Sequence, residues 1–171
     1  DRRLDDPRRA PGLVLAELLK AVGVAVSGTV GLGGGQVQER LVFHQSEPLA
    51  ELVRELGKNS DNFYAEMLLK VLGAEAGSVP ARSQDGARVI MDWLTQQGAL
   101  TPGTRIENGS GLFDANRVSA ATLVSVLRAV RQNPGVYPDF LAHLSIGGVD
   151  GTLRSRFRNL KARTIRAKTG T

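Results

Sequence analysis

The 171-residue sequence predicts a helix-rich α/β fold of the α+β kind, with an incomplete antiparallel sheet. Three observations point there. Apolar residues recur at helical spacing in five stretches, most of them closed by a glycine. Strand-like alternation is confined to a hairpin near the start, a short extended piece at 104–107 and the last nine residues. A final strand with nothing after it to pair with leaves the sheet short of partners.

The elements follow in order. Residues 1–10 are a mixed-charge lead-in. Pro11 opens a helix carrying Val14, Leu15, Leu18, Leu19 and Val22 on one face, with Gly23 as its stop. Val24, Val26 and Val30 then alternate as a strand would, as do Val37, Glu39, Leu41 and Phe43, and the glycine-rich run 31–35 joins them as a hairpin connection. Pro48 opens a helix with Leu49, Leu52, Val53 and Leu56, which Gly57 should stop. Another follows Ser60 with Phe63, Met67, Leu68, Val71 and Leu72 up to Gly73. A third runs from Ser83 with Val89, Ile90, Trp93 and Leu94 to Gly98. The next takes Ser119 as N-cap and ends at Asn133-Pro134. Short helical pieces are expected near 138–144 and 151–157, and a strand from Arg163 to Thr171. With no repeat, low-complexity tract or linker, residues 11–171 read as one body.

Composition narrows the chemistry. Forty-two per cent hydrophobic residues against 23% charged ones exclude a disordered chain. No apolar run approaches the ~20 residues of a membrane-spanning helix. The absence of cysteine removes disulfides, thiolate zinc sites and thiol nucleophiles, and two histidines 99 positions apart offer no metal centre, so neither metal nor cofactor is expected. The net charge of +5 is local: Arg154 to Thr171 hold seven bases and no acid, and the rest of the chain has 15 bases against 17 acids.

Several patterns have plain readings. The 31–35 glycines lead into a strand pattern rather than a helix N-terminus, so they do not cradle phosphate. Ser110 follows Asn108-Gly109, which fails the nucleophile-elbow pattern and suits a polar turn. His44 and His143 read as structural. Ser60-Asp61-Asn62 has the residues of an N-cap, and Lys168-Thr169-Gly170 alone is a base and a turn glycine.

Taken together the last two weigh more, because Ser-Asp-Asn and Lys-Thr-Gly are two of the three signature motifs of penicillin-binding proteins and class A β-lactamases. Phe43-His44-Gln45-Ser46-Glu47-Pro48-Leu49, Lys58–Glu66, Asn108-Gly109-Ser110-Gly111-Leu112 and Gly148-Val149-Asp150-Gly151-Thr152-Leu153 extend the likeness. From about Pro11 to Thr171 the chain resembles the D-alanyl-D-alanine carboxypeptidase/endopeptidase family of low-molecular-mass class C penicillin-binding proteins, peptidase family S13. The resemblance implies a portion of a penicillin-binding-protein/β-lactamase-like transpeptidase domain. It also implies an acyl-serine hydrolase of peptidoglycan stem peptides that β-lactam antibiotics acylate.

In such a site Ser60 relays a proton towards the leaving amine, held between lysines. Asn62 orients the substrate's peptide bond. Lys168 supplies positive potential for the terminal carboxylate, and Thr169 gives it a hydroxyl. Gly170 lets the strand approach the substrate, and the Thr171 N–H forms one arm of the oxyanion hole. Many relatives continue Gly-Ser-Gly-Leu with Ser-Arg, where this chain has Phe113-Asp114. That reversal makes Asp114 a candidate contact for an amine-bearing stem peptide.

No serine here is followed by a lysine three residues later, so the third motif and its nucleophile are absent from the chain. Residues 11–171 are therefore expected to be the C-terminal portion of a DD-peptidase domain. They lack the upstream Ser-x-x-Lys region and the strands after Lys-Thr-Gly, are inactive alone, and have the remainder of the same protein as a partner. The resemblance places that protein in the periplasm or another extracytoplasmic space. A non-catalytic peptidoglycan-binding homologue and a β-lactamase are the alternatives. Nucleic-acid binding through the basic tail is disfavoured by 5% aromatic content and the absence of a known binding motif.

Overall fold

In the computed structural model, residues 6–34, 39, 42–160 and 165–170 are described, and the chain divides into two units, Asp1–Gln45 and Ser46–Thr171. The expectation of one body is thereby replaced by two.

In the first unit, α1 spans Ala10–Ala21, with Lys20 in its last turn where a cation favours the helix dipole. Gly23, at φ +84°, ends it as expected. Arg9 Nη2 donates to the Val30 carbonyl at 2.6 Å, folding the following segment back on the helix. Val24–Val30 is irregular rather than a strand, and among the described residues it pairs with no strand. Of the second expected strand, Glu39 and Phe43 are irregular, whereas Val37 and Leu41 lie outside the described residues. Residues 31–34 are irregular too, and Gly35 lies outside the described residues.

The second unit holds five helices among its described residues: α2 Leu49–Asn59, α3 Asn62–Glu75, α4 Ser83–Gln96, α5 Ala120–Gln132 and α6 Tyr137–His143. The caps are chemical. Asp61 Oδ1 accepts from the Tyr64 N–H at 2.9 Å, Asp85 Oδ2 from the Arg82 N–H at 2.8 Å, and Ser119 Oγ from the Thr122 N–H at 3.0 Å. Two glycines expected to stop helices do not. α2 runs through Gly57 and α3 through Gly73, and α3 ends only before Gly77 at φ +98°.

Both glycines are contact points instead. A Cβ on Gly57 would collide with the His143 backbone, and one on Gly73 would lie 2.7 Å from Asp85 Cβ. Gly86 of α4 sits under the Leu69 carbonyl of α3, where a Cβ has no room at all. Leu69, Ala87 and Leu94 are buried at this α3–α4 crossing, each leucine contributing about 1.5–3 kcal/mol. Ala99 and Leu153 are the other buried apolar side chains among the described residues. Much of the expected apolar stripe is not buried: Leu49 of α2, Phe63 and Leu72 of α3, and Leu123 and Leu127 of α5 stay exposed.

The sheet is minimal. β1, Ser145–Ile146, pairs antiparallel with β2, Arg166–Ala167, Ser145 facing Ala167 and Ile146 facing Arg166. The final strand thus has a partner, and it precedes that strand in the chain. The expected extended piece at 104–107 forms a bridge in which Arg105 and Arg117 exchange backbone hydrogen bonds of 2.8 and 2.7 Å. Only Gly151–Leu153 of the helical piece expected at 151–157 forms, as a 3₁₀ turn.

Candidate active site

The site begins where α2 ends. Ser60 is not the cap of α3, a duty Asp61 performs; it is the residue after α2, in the left-handed conformation at φ 58°, ψ 48°. That backbone turn frees its hydroxyl from capping. Lys168 Nζ, arriving just past β2, donates to Ser60 Oγ at 2.6 Å, a short charge-assisted bond across 108 positions of sequence. The ammonium also donates to the Thr169 carbonyl at 2.8 Å. Burial pushes the Lys168 ammonium below lysine's ordinary 10.5. The two motifs that lie at opposite ends of this unit's sequence therefore meet as one wall-to-wall contact.

Thr169 joins the same wall. Its Oγ1 donates to Thr152 Oγ1 at 2.9 Å, and Thr152 Oγ1 lies 3.2 Å from Ser145 Oγ, which donates to the Lys58 carbonyl at 3.3 Å. Lys58, two residues before Ser60, turns its side chain inward. Its Nζ donates to Asp150 Oδ2 at 2.7 Å and to the Leu144 carbonyl at 2.7 Å, with the lysine side chain only 14% exposed. Asp150 Oδ1 accepts from the Ile146 N–H at 2.8 Å. Burial would raise the Asp150 carboxyl, but the Lys58 ammonium and the Ile146 N–H outweigh it and hold it below the usual range. Gly151, at φ +52°, lies between Asp150 and Thr152, and a Cβ there would strike Ser145 Oγ and stand 2.6 Å from the Lys58 carbonyl.

A second polar cluster fixes the Asn108–Leu112 loop. Glu66 Oε1 on α3 accepts from the Gly109 N–H at 3.1 Å, the Ser110 N–H at 3.0 Å and Ser110 Oγ at 2.6 Å. Burial would raise Glu66, yet the three donors, Ser110 foremost, with Lys70 nearby hold it below the ordinary carboxylate range. Ser110 is thus a turn residue bound to a carboxylate. The polar-turn reading is the one its contacts fit. Asn108 closes the loop, its Oδ1 accepting from the Gly111 N–H at 2.7 Å and its Nδ2 donating to the Leu112 carbonyl at 2.9 Å.

His143 is the other titratable group near the wall. Burial moves the imidazole below its usual 6.5, the Phe140 carbonyl opposes that, and the positive charges of Lys168 and Lys58 add to it. It is consequently a neutral packing group at neutral pH, set edge-on to Phe140 with ring centroids 4.8 Å apart.

Of the residues singled out from sequence, Ser60, Lys168 and Thr169 are brought together. Asn62, the first residue of α3, is exposed, and no hydrogen bond among the described residues engages its amide. Gly170 faces open space, so no neighbour within the described structure demands glycine there. Asp114 sits beside Phe113, both with positive φ in an exposed turn, and no hydrogen bond or ion pair joins it to Ser60 or Lys168. Thr171 lies outside the described residues. Among the described residues no cluster of His, Cys, Asp or Glu could hold a metal ion, and no helix is long and apolar enough to cross a membrane. Sequence reasoning missed Lys58, Glu66, Ser145, Asp150 and Thr152. Four of the five stand inside the very segments that carry the family likeness, and a lysine and an aspartate 92 positions apart give no local signal of pairing.

Ser-Asp-Asn at a helix junction and Lys-Thr-Gly just past a strand, joined here by one hydrogen bond, are motifs of the penicillin-binding-protein and class A β-lactamase class. Comparison with known families matches residues 1–171 to the D-Ala-D-Ala carboxypeptidase 3 (S13) family. The chain belongs to that family. It is 36% identical over 181 residues to a D-alanyl-D-alanine carboxypeptidase of Actinomadura sp., covering 99% of this chain and 33% of that protein. It is 30% identical over 144 residues to the D-alanyl-D-alanine carboxypeptidase DacB of Haemophilus influenzae, covering 84% of this chain and 30% of that one. Among solved structures, penicillin binding protein 4 (dacB) of Haemophilus influenzae, complexed with a β-lactam, superposes with a TM-score of 0.85 at 27% identity, covering 99% of this chain and 40% of that one. The chain therefore spans about a third of the length of these curated relatives.

Proposed function

We propose that the chain is the part of a serine-type D-Ala-D-Ala carboxypeptidase/endopeptidase that supplies two of the three catalytic motifs. The nucleophilic serine comes from a Ser-x-x-Lys segment outside this chain, and the assembled enzyme cleaves peptidoglycan stem peptides in an extracytoplasmic space. The observation that carries the reading is the 2.6 Å bond from Lys168 Nζ to Ser60 Oγ. A hydroxyl held by an ammonium is poised to pass a proton to a leaving amine while the lysine's charge attracts the substrate's terminal carboxylate. Asn62, Thr169, Gly170 and Thr171 take the roles in substrate orientation that the family likeness implies. The exposed apolar residues of α2, α3 and α5 support the reading of a part that meets more protein.

Fluorescent penicillin tests the proposal. The full-length protein should take a covalent label, and this chain alone should take none. Labelling of the isolated chain would place a nucleophile inside it. An unlabelled full-length protein would sink the acyl-serine reading and favour a non-catalytic peptidoglycan-binding homologue.

The pH dependence carries a sign. Because burial disfavours the charged form of Lys168, that charge is lost at lower pH than in an open chain. The KM for a substrate with a free terminal carboxylate should therefore rise on the alkaline side with a midpoint below 10.5. Lys168→Arg should flatten that limb, since arginine keeps its charge throughout. Steady-state kinetics from pH 6 to 10.5 measure it, and a flat KM in the parent protein would contradict the assignment of Lys168.

A further inference from the structure

We propose that Thr152 is a positioning residue that sets the direction of the Thr169 hydroxyl, through a chain of three hydroxyls anchored on the Lys58 carbonyl. The inference rests on the reading of Thr169 as a partner of the substrate's carboxylate.

Proton counting gives the chain a direction, because each hydroxyl has one proton to donate. Ser145, fully buried, gives its proton to the Lys58 carbonyl at 3.3 Å and accepts from the Thr152 N–H at 3.2 Å. Thr152 must then donate to Ser145 across 3.2 Å, and Thr169 donates to Thr152 across 2.9 Å. At rest all three hydroxyls point inward, towards the end of α2.

A carboxylate only accepts. To serve one, the Thr169 hydroxyl must swing away from Thr152 and leave its own lone pairs facing inward. Thr152 can follow by turning its proton from Ser145 onto Thr169, while Ser145 stays on Lys58. Every hydroxyl proton keeps an acceptor: the Thr152–Ser145 bond is given up, the Thr152–Thr169 bond reverses, and the bond to the carboxylate is gained. Thr152 is thus the acceptor that holds Thr169 at rest and the donor that supports it when a carboxylate arrives.

The position of Thr152 is fixed independently of the ligand. It follows Asp150, which is paired with Lys58, and Gly151, whose packing leaves no space for a side chain; it precedes Leu153, which is 2% exposed. The Lys58 carbonyl that ends the chain lies two residues before Ser60. The same helix end therefore positions both the hydroxyl that faces Lys168 and the one that steadies Thr169.

The test uses the full-length protein and a peptide ending in D-Ala-D-Ala with a free carboxylate. Thr152→Val keeps the shape and removes both hydrogen-bonding roles. It should raise KM about tenfold with kcat within about threefold, the size of one lost bond to a charged group. Thr152→Ser should restore the parent KM. In a Thr169→Val background, Thr152→Val should add nothing further. An unchanged KM, a fall confined to kcat, a Thr152→Ser protein that behaves like Thr152→Val, or an equal effect in the Thr169→Val background would each overturn the proposal. Should Thr152→Val not fold, Thr152→Ala also removes the hydroxyl and carries the same expectations, a KM raised about tenfold in the parent and unchanged in the Thr169→Val background. Failure of the underlying functional reading looks different: the unsubstituted protein would neither turn over the peptide nor take a penicillin label.

Discussion

Replacing Ser60 by alanine in the full-length protein should slow penicillin acylation by about 10²- to 10⁴-fold, the span expected for removing a positioned proton carrier. The fold should hardly respond. The Ser60 side chain caps neither helix, and Lys168, its side-chain partner among the described residues, keeps the Thr169 carbonyl. A second substitution separates geometry from chemistry. Ser60 has a left-handed backbone, φ 58°, which costs a non-glycine residue roughly 1–2 kcal/mol. Ser60→Gly should therefore be as inactive as Ser60→Ala yet more stable than the parent by about 1 kcal/mol, measured by urea unfolding. Unaltered labelling of either variant would remove Ser60 from the mechanism.

Gly86→Ala should be the most damaging single methyl in the second unit. In an open helix the change would gain about 1 kcal/mol from propensity. Here the new Cβ would fall on the Leu69 carbonyl, which is backbone and cannot rotate aside. α3 and α4 must then separate, uncovering Leu69 and Leu94, both 3% exposed, so the net result should be a loss of about 2–4 kcal/mol. The consequence reaches the site because α3 begins at Asn62 and carries Glu66, the carboxylate that holds the Gly109-Ser110 turn. A shift in urea midpoint of that size would agree with the account. A variant as stable as its parent would show that the crossing can open at little cost.

Helices announced themselves in the sequence because their signals are local. Ser119 caps the helix it was expected to cap, α4 starts at Ser83, and Gly23 and Gly98 adopt the positive φ that ends a helix. Gly57 and Gly73 misled for a physical reason. Glycine serves either a left-handed turn or a close approach, and one sequence does not separate the two uses. β1 was illegible because two residues, Ser145 and Ile146, carry no alternation. The Val24–Val30 pattern misled in the opposite sense, since β-branched spacing is a weak and context-dependent strand signal. Of the wall, Ser60, Lys168 and Thr169 were legible through motifs. Their supports were not: Lys58 with Asp150, Glu66 with Ser110 and Thr152 with Ser145 are partners only in three dimensions.

The two-residue pairing of β1 with β2 has a thermodynamic consequence of its own. The wall bearing Lys168 is joined to its neighbours by a handful of partly exposed hydrogen bonds, whereas α3 and α4 share the buried leucines. The amides of Gly147 and β2 should therefore exchange with solvent ahead of those of α3 and α4, an order that hydrogen exchange measures. Under the proposed reading, a ligand that bridged Ser60 and Lys168 would tie β2 more firmly to the end of α2, and its affinity would include that free energy.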